Sequence, residues 1–385
     1  MSDRSRADAV YETLLSRAGE RWVQPRKERT ARILAYLDDP QRTYRVVHIT
    51  GTNGKTSTAR MIESLLRAHD LRTGLFTSPH LERFTERIMI DGEPIGDAEV
   101  ADAWDEIEPF VDIVDAELTA AGDEPLTFFE LLTVLAFVAA ADAPVDVLVL
   151  EVGMGGEWDS TNTADGDVAV FAPIDIDHAD RLGGTLTEIA TVKAGIIKEG
   201  AAVVSAQQQP EVAEVLRRMA AEKHASIVFE GDEFGLTEQK LAVGGQLLTI
   251  RGVAGGYVEE YLPMYGAHQG HNAALAIAAV ESLIGAGTQR IADDIVADGL
   301  QGATSPGRLQ LLGIAPTVVV DAAHNPHGAK ALAQSLSDSS ISTSGVSCSA
   351  SLAIRTPRAS SRRSRRALPT CSLPPRHPIG RTMLM

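Results

Sequence analysis

The feature that most constrains the fold is a series of short β-branched runs separated by helical segments. The runs are apolar almost throughout, which is typical of strands in a parallel sheet that is covered by helices on both faces. They predict strands at residues 45–49, 73–77, 145–150, 168–174, 201–205 and 226–229. The sequence therefore predicts the α/β class, in which ligands bind beyond the carboxyl ends of the strands.

Composition narrows the kind of protein to which this sheet belongs. The 385 residues carry a formal net charge of −17, which disfavours binding to nucleic acid or to an anionic membrane surface. The longest apolar run, Leu131 to Ala141, is too short to cross a bilayer, so we expect a buried helix. The N-terminus has no apolar segment, and both cysteines, Cys348 and Cys371, lie in the tail. We therefore expect a cytoplasmic protein that acts on small molecules.

Three regions are predicted along the chain. Residues 1–300 hold the parallel-sheet pattern, although the glycine-broken alternation of Thr237 to Val258 predicts a hairpin outside the main sheet. Residues 301–340 begin a smaller domain with the strand Thr317 to Asp321 and one helix. Residues 341–385 contain eight arginines and no Asp or Glu, a composition that indicates a shifted reading frame and a disordered tail. A genuine basic tail is the alternative.

A glycine loop joins the first predicted strand to its helix, and it reads Gly51-Thr52-Asn53-Gly54-Lys55-Thr56-Ser57. Glycine lets the backbone approach a phosphate, and the helix N-terminus offers free amides. Lys55 would supply positive charge to the β- and γ-phosphates of a nucleotide. The strict pattern has glycine where this chain has Ile49, so a generic strand-to-helix turn is the alternative.

Acidic residues and a histidine follow two other predicted strands. Glu151 ends the most hydrophobic run and precedes the glycine-rich Val152–Gly156, so its carboxylate is well placed to hold Mg²⁺. Asp175, Asp177 and His178 follow the next run, and their spacing favours a metal or phosphate role for His178. The alternatives are a capping role for Glu151 and a structural role for His178.

Together these segments resemble the Mur-ligase superfamily. The similar segments are Gly51–Thr56, Glu151–Gly156, Asp177-His178 and Lys193-Ala-Gly-Ile-Ile-Lys198. By this resemblance Ser78, Glu151 and His178 would bind two Mg²⁺ ions. Lys193, which in isolation reads as a surface lysine, would be carbamylated and would help to bridge the ions. The resemblance implies a P-loop-type ATP-binding domain followed by a smaller Rossmann-like α/β domain, which is truncated here.

Within the superfamily, the sequence is most similar to the folate branch of dihydrofolate synthases and folylpolyglutamate synthases. The phosphate loop lies too near the N-terminus for the nucleotide-sugar domain of peptidoglycan ligases, and Thr77–Leu81 resembles the folate enzymes. Two segments resemble the family's pteroate-binding segments, and there Phe128 or Phe129 would stack on the substrate's rings, unless both are core aromatics. The residues of the two segments are Thr127, Phe128, Phe129, Glu130, Trp158, Asp159 and Ser160. Thr56, where folate enzymes often have glycine, keeps the peptidoglycan branch open.

Motifs in the later part of the chain resemble the family's nucleotide-binding motifs. Asn272 would contact the adenine nucleotide, and Arg308 would neutralise phosphate charge. Asp321 would bind the ribose, and His324 would lie near the phosphates.

The resemblance implies a monomeric ATP-dependent ligase that adds L-glutamate to dihydropteroate or to folate glutamate tails. ATP would phosphorylate the acceptor carboxylate, and the amine of glutamate would then attack the acyl phosphate. Lys55, Lys193 and His324 would carry the catalysis. A UDP-muramyl peptide ligase, a kinase- or GTPase-like switch and an inactive remnant are the alternatives. Because the second domain would keep only its first strand and helix, we expect this particular chain to be unstable or poorly active.

Overall fold

The computed structural model describes residues 2–19, 26–314, 317–323 and 325–338. The tail at 341–385 and His324 lie outside the described residues. The shifted reading frame and the role of His324 therefore stay predictions.

The described residues group into two units by their internal contacts. The first contains Met1–Pro263 and His268–Thr304. The second contains Met264–Ala267 and the described residues from Ser305 onward. The division falls between Thr304 and Ser305, and the sequence predicts a domain boundary near residue 300.

The first unit is built on a large sheet that brings several strand ends to one edge. Its strands are β1 (Arg45–Thr50), β2 (Thr73–Phe76), β3 (Ile88–Ile90), β4 (Glu93–Pro94), β5 (Val147–Glu151), β6 (Val168–Phe171), β7 (Ala202–Ser205) and β8 (Ser226–Phe229). Among the described residues their order is β4-β3-β2-β5-β1-β6-β7-β8, and the strands from β2 to β8 in this order pair in parallel. The predicted α/β class with a parallel sheet is confirmed. Two short strands at one edge, β3 and β4, pair antiparallel and were not predicted.

Helices connect these strands. In chain order they are α1 (Asp3–Leu15), α2 (Glu28–Tyr36), α3 (Lys55–Ala68), α4 (Asp97–Ala120), α5 (Phe128–Asp142), α6 (Ala179–Leu182), α7 (Leu186–Ala194), α8 (Pro210–Glu222), α9 (Ala267–Gly285) and α10 (Asp293–Gly302). The buried helix that the long apolar run predicted is α5, in which every residue from Leu131 to Ala140 is buried. In the part of the chain that the structure describes, no helix is long and apolar enough to span a bilayer.

A second, antiparallel sheet lies outside the main sheet of the first unit. Its strands are β9 (Gly235–Ala242), β10 (Gly245–Arg251) and β11 (Gly256–Leu262). The prediction of a hairpin separate from the main sheet was correct for β9 and β10, but a third strand, β11, pairs with β10. The predicted hairpin ends at Val258, in the middle of this third strand.

The second unit has a two-stranded antiparallel sheet and one helix in its described part. The elements are β12 (Gln310–Ile314), β13 (Thr317–Val320) and α11 (Pro326–Asp338). The predicted strand and helix are present, and β12, which precedes them, was not predicted. The buried side chains of Leu309, Val319 and Leu336 form a small core against Tyr265 and Leu332.

Close packing of α10 on α3 gives a testable consequence for stability. A Cβ atom on Gly299 would lie 2.7 Å from Leu65 Cδ2 and 2.8 Å from Leu65 Cα. The backbones of α10 and α3 would therefore have to move apart to accommodate it. Replacing glycine by alanine inside a helix normally favours folding, by about 0.5–1 kcal/mol. Here we expect Gly299→Ala to lower the free energy of unfolding by about 1–3 kcal/mol through overpacking. Urea titration measures the change, and Asp298→Ala, at an exposed position of the same helix, should be close to neutral.

Candidate active site

The predicted phosphate loop connects β1 to the first turn of α3, which has no side-chain cap. Gly51 has φ of +152° and Gly54 has φ of +87°, backbone conformations that other residues rarely adopt. A Cβ on Gly51 would lie 2.7 Å from the Cβ of Ala172, so this position requires glycine on steric grounds also. The loop is fixed to the segment after β6, because the Thr52 amide donates to the Pro173 carbonyl at 2.9 Å. The loop therefore presents the amides at the start of α3 from a rigid frame.

Two lysines converge on one carbonyl of this loop. Lys55 Nζ donates to the Gly51 oxygen at 3.1 Å, and Lys193 Nζ donates to the same oxygen at 3.0 Å. Lys193 comes from the last turn of α7 and is buried. Burial, together with the charge of Lys55, lowers the pKa of Lys193 to about 7. The surface position expected for Lys193 in isolation was wrong, and the buried lysine implied by the family resemblance is what the structure contains.

Glu151 joins the ends of two neighbouring strands to the phosphate loop. Its carboxylate ends β5 and is buried. The Thr56 hydroxyl lies 3.0 Å from both carboxylate oxygens, and the Ser78 amide, beyond β2, donates to Oε2 at 3.3 Å. The structure therefore brings together Glu151, Ser78 and the loop residue Thr56. These groups offer a carboxylate and hydroxyl oxygens, the hard donors that Mg²⁺ prefers.

His178 lies in the segment that follows β6. It adopts φ of +51°, and its side chain is 48% exposed, with Nε2 at 3.9 Å from Asp177 Oδ1. Asp177 acts on Lys193 by raising the lysine pKa against the effect of burial. Among the described residues no group of three His, Cys, Asp or Glu side chains could hold a metal ion. The carboxylate of Glu151 with its neighbouring hydroxyl groups fits a Mg²⁺ ion that takes one or two protein carboxylates and completes its coordination with water and nucleotide phosphates.

The first predicted acceptor segment starts α5. Thr127 and Glu130 form a capping box, in which the Thr127 amide donates to Glu130 Oε2 at 2.7 Å and the Glu130 amide donates to Thr127 Oγ1 at 3.3 Å. Phe128 is in the core, and the guanidinium of Arg87 lies 5.3 Å from the centre of its ring. Phe129 faces the glycine loop after β5, because a Cβ on Gly153 would lie 2.4 Å from its ring. Of the two aromatics, Phe129 lies beside the site.

The second predicted acceptor segment is held by Asp159. This buried carboxylate accepts hydrogen bonds from the amide of Met154 at 2.9 Å and from the hydroxyl of Thr161 at 2.6 Å. Thr161 in turn lies 2.9 Å from His48 Nε2, inside β1. Burial raises the pKa of Asp159, and the hydrogen bonds act against that effect. Asp159 therefore fixes the loop between β5 and Thr161.

The other two residues of this segment are Trp158 and Ser160. Trp158 packs with the apolar cluster around α7 and α8, and Ser160 is buried.

The start of α9, which carries Asn272, lies against the phosphate loop. Asn272 Oδ1 would lie 2.8 Å from a Cβ on Gly54. Its Nδ2 donates to Gln269 Oε1 at 3.0 Å, and Gln269 Nε2 donates to Ser57 Oγ at 3.4 Å. This short chain of amides connects α9 to the helix that carries Lys55.

Arg308 and Asp321 are neighbours within the second unit. Asp321 Oδ2 accepts from the Leu309 amide at 2.8 Å, and Oδ1 accepts from the Ala323 amide at 2.8 Å. The Arg308 amide donates to the Ser305 carbonyl at 3.2 Å. Asp321 thus fastens the turn that carries Arg308 to the end of β13.

Comparison with known proteins decides the family. Residues 49–280 match the model of the Mur ligase middle domain. The chain is 48% identical over 331 residues to the dihydrofolate synthase/folylpolyglutamate synthase of Mycobacterium tuberculosis, an alignment that covers 82% of this chain and 68% of that protein. The chain belongs to the folylpolyglutamate synthase family.

A second relative and a solved structure agree with this assignment. The Bacillus subtilis dihydrofolate synthase/folylpolyglutamate synthase is 37% identical, with 82% of this chain and 72% of that protein covered. The crystal structure of M. tuberculosis folylpolyglutamate synthase complexed with ADP and AMPPCP superimposes with a TM-score of 0.82 at 45% identity, covering 88% of this chain and 74% of that one. The folate branch is therefore supported over the peptidoglycan branch that Thr56 had left open.

One charged residue of this folylpolyglutamate synthase site was missed by the sequence analysis. Arg60 lies one helical turn after Thr56 and is partly buried. Burial lowers its pKa from the ordinary value, while Glu151, Glu63 and Glu86 act in the opposite direction. The signal in the sequence was its spacing of four residues from Thr56, which places both side chains on the face of α3 that meets Glu151.

Proposed function

We propose that this chain is an ATP-dependent ligase that adds L-glutamate to dihydropteroate, to folate polyglutamate tails, or to both, through an acyl phosphate. The convergence of Lys55 and Lys193 on Gly51, beside the carboxylate of Glu151, carries the proposal. Lys55 and a row of helix amides suit a polyphosphate, and a buried carboxylate beside them suits its Mg²⁺ ion. Membership of the folylpolyglutamate synthase family supports the choice of substrates.

In the first step the acceptor carboxylate attacks the γ-phosphorus of ATP and ADP leaves. Lys55 and the α3 amides offset the charge that spreads over the phosphoryl oxygens. In the second step the glutamate amine attacks the acyl carbon, phosphate leaves, and the amine loses its proton. The chain's task in both steps is to position the three substrates and to exclude water that would hydrolyse the acyl phosphate.

The acceptor is proposed to lie along the glycine loop after β5. Phe129, which covers Gly153, offers a ring for stacking on the pterin or aminobenzoyl group. Trp158 and Ser160 lie in the segment that Asp159 fixes. Thr127 and Glu130 act indirectly, since their side chains hold the first turn of α5 that carries Phe129.

The second domain, from about residue 301, is proposed to contribute nucleotide-binding residues. Arg308 would neutralise phosphate charge, Asp321 would bind the ribose and His324 would lie near the phosphates. Asn272 supports the nucleotide from the first domain, where it lies against Gly54. The enzyme is proposed to work as a monomer in the cytoplasm, with small molecules as its partners.

Two Mg²⁺ ions are proposed, one held by Glu151 and Ser78 and a second held by His178 and a carbamylated Lys193. The ions would supply charge neutralisation for the phosphoryl group and the acceptor carboxylate. Carbamylation requires a neutral amine, and burial of Lys193 with a pKa of about 7 favours that form. The modification would replace a second cation beside Lys55 with an anion, which removes the repulsion between the two lysines.

The experiment that tests the function uses the chain with its C-terminal reading frame restored, and measures ADP release with ATP, Mg²⁺, L-glutamate and a pteroate acceptor, with each component omitted in turn. Mass spectrometry of the acceptor should show the addition of one glutamate residue. Turnover with a UDP-muramyl acceptor in place of the pteroate would refute the assignment.

The proposed metal site gives a prediction that does not depend on turnover. Glu151→Gln keeps the shape of the side chain but removes its charge, so it should raise the Mg²⁺ concentration needed for half-maximal ATP binding about 10- to 100-fold. Calorimetric titrations at several Mg²⁺ concentrations measure this shift. Glu199→Gln, at an exposed carboxylate that pairs with His224, is the control and should leave the Mg²⁺ dependence unchanged.

A further inference from the structure

A buried histidine lies inside the strand that leads to the phosphate loop. His48 is three residues before Gly51 in β1, and its side chain is fully buried. The neighbouring strand residues Val46, Val47 and Ile49 are buried and apolar. Burying a polar ring costs free energy unless the ring makes hydrogen bonds. A histidine at this position therefore indicates a specific role for the hydrogen bond that it makes.

The imidazole of His48 is hydrogen-bonded to a hydroxyl beside the proposed acceptor site. Nε2 lies 2.9 Å from Thr161 Oγ1, and this hydroxyl donates its single proton to Asp159 Oδ1 at 2.6 Å. The hydroxyl therefore accepts from His48, so Nε2 carries the ring proton. The other ring nitrogen, Nδ1, is buried and has no hydrogen-bond partner among the described residues. Burial, together with the charge of Lys198, lowers the pKa of His48 to about 3, so the ring is neutral near pH 7.

The chain of hydrogen bonds from His48 ends on a carboxylate that shapes the acceptor loop, which we define as residues 152–160. One oxygen of Asp159 accepts from the Met154 amide at 2.9 Å. The other oxygen accepts from the Thr161 amide at 3.0 Å as well as from the Thr161 hydroxyl. His48 therefore fixes the direction of the hydroxyl that orients this carboxylate. The loop that is held in this way faces the ring of Phe129.

A second side chain on the same face of β1 holds the same loop. Thr50 is two residues after His48, so the two side chains point to one face of the sheet. The Thr50 hydroxyl donates to the Gly155 carbonyl at 2.8 Å. Gly51, the first residue of the phosphate loop, follows Thr50 directly. The strand that leads into the phosphate loop therefore carries two anchors of the acceptor loop.

We propose that His48 is a positioning residue for the ligation, which holds the acceptor loop, through Thr161 and Asp159, at a fixed distance from the phosphate loop. This inference rests on the proposed function, because the acceptor carboxylate must lie in line with the γ-phosphate that the phosphate loop binds. A displacement of about 1 Å in such an arrangement lowers the rate about 100-fold. Because it is buried, His48 acts through the two side chains and does not contact a substrate.

Steady-state kinetics of the chain with its C-terminal reading frame restored test the proposal. His48→Leu removes the hydrogen bond and keeps the strand apolar, so kcat/KM for the pteroate should fall about 10- to 100-fold. KM for ATP should stay within about twofold of the wild type, because the phosphate loop keeps its own contacts. His48→Gln places an amide nitrogen near the position of Nε2 and should recover most of the loss.

The hydrogen-bond partner of His48 gives a second variant. Thr161→Val should lower kcat/KM for the pteroate as His48→Leu does. The double variant should be no worse than either single variant, because both changes break the same chain of hydrogen bonds.

Val47→Ala is the matched control for a loss of stability. Val47 is the buried neighbour of His48 in β1 and points to the opposite face of the sheet. Val47→Ala should lower the urea concentration at the midpoint of unfolding, as His48→Leu does. It should leave the KM values for the pteroate and for ATP unchanged.

The protonation of the ring is a readout that does not depend on turnover. Nitrogen-15 NMR of labelled histidine, with the resonance of His48 identified by its loss in His48→Gln, should show a neutral ring that is protonated on Nε2 at pH 7. Thr161→Val should shift this resonance, because it removes the acceptor of the Nε2 proton.

Two outcomes would overturn the proposal. In one, His48→Leu keeps kcat/KM for the pteroate within about twofold of the wild type. In the other, His48→Leu raises KM for ATP as strongly as KM for the pteroate, or Val47→Ala reproduces the loss for the pteroate, which would indicate a structural role alone. Failure of the proposed ligase function is distinguishable, because calorimetry measures pteroate affinity without turnover. His48→Leu should lower that affinity and His48→Gln should recover it even in a chain that forms no amide.

Discussion

Replacing Lys55 with alanine is expected to weaken ATP binding about 100-fold. The ammonium group lies at the first turn of α3, where it contacts the carbonyls of Gly51 and Thr52 at 3.1 and 3.4 Å. On nucleotide binding it would exchange these neutral acceptors for phosphate oxygens, and charge-assisted contacts of this kind contribute several kcal/mol. Loss of the group should also slow ADP release by about 100- to 1,000-fold, since the same charge stabilises the transferring phosphoryl group.

Calorimetry with ATP and Mg²⁺ measures the change in affinity for Lys55→Ala. Lys223→Ala removes an exposed lysine at the end of α8 and is the control for overall charge. ATP affinity within about twofold of the wild type would show that Lys55 does not bind phosphate in this chain, because such a loss is smaller than that of one neutral hydrogen bond.

Replacing Lys193 with methionine is expected to abolish carbamate formation and to lower ADP release by about 100- to 1,000-fold. The Lys193 amine is buried against the Gly51 carbonyl, with a pKa of about 7 in place of its ordinary value of 10.5. The neutral amine, which alone reacts with CO₂, is therefore the minor form below pH 7 and the major form above it. Carbamate formation should rise with pH through about 7, whereas an exposed lysine would show that rise only near its ordinary pKa.

NMR with isotope-labelled bicarbonate reports the carbamate directly, and a pH series locates its midpoint. Lys198→Met is the matched control, because Lys198 lies in the same segment but donates to the Asn162 carbonyl at 3.0 Å. A carbamate signal that survives Lys193→Met and vanishes with Lys198→Met would assign the modification to Lys198 and contradict the proposal.

The parts of the site that could be predicted are those encoded in contiguous residues. The β-branched run before Gly51 and the helix after Lys55 are specified locally, and the structure contains both elements as β1 and α3. Glu151 followed from the same logic, since a carboxylate at the end of an apolar strand must lie at the edge where parallel strands end.

Short edge elements and distant contacts could not be predicted in the same way. Strands β3 and β4 have three and two residues, too few to show a period of their own. The pairing of Glu230 with His271 joins residues 41 positions apart and depends on where α9 packs. Thr127 and Glu130 show a different difficulty, because the spacing T-x-x-E is both part of the family's acceptor segment and the signature of a capping box.

ADP release in the presence of glutamate and a pteroate tests whether this chain is a folate ligase. The assay compares the chain with a version whose C-terminal reading frame is restored, both folded and supplied with Mg²⁺. We expect ADP release that requires glutamate and the pteroate together in the restored version and little release by the chain itself, so the rate losses of Lys55→Ala and Lys193→Met are measured in the restored version. ADP release by neither version, or release that needs no glutamate, would contradict the assignment.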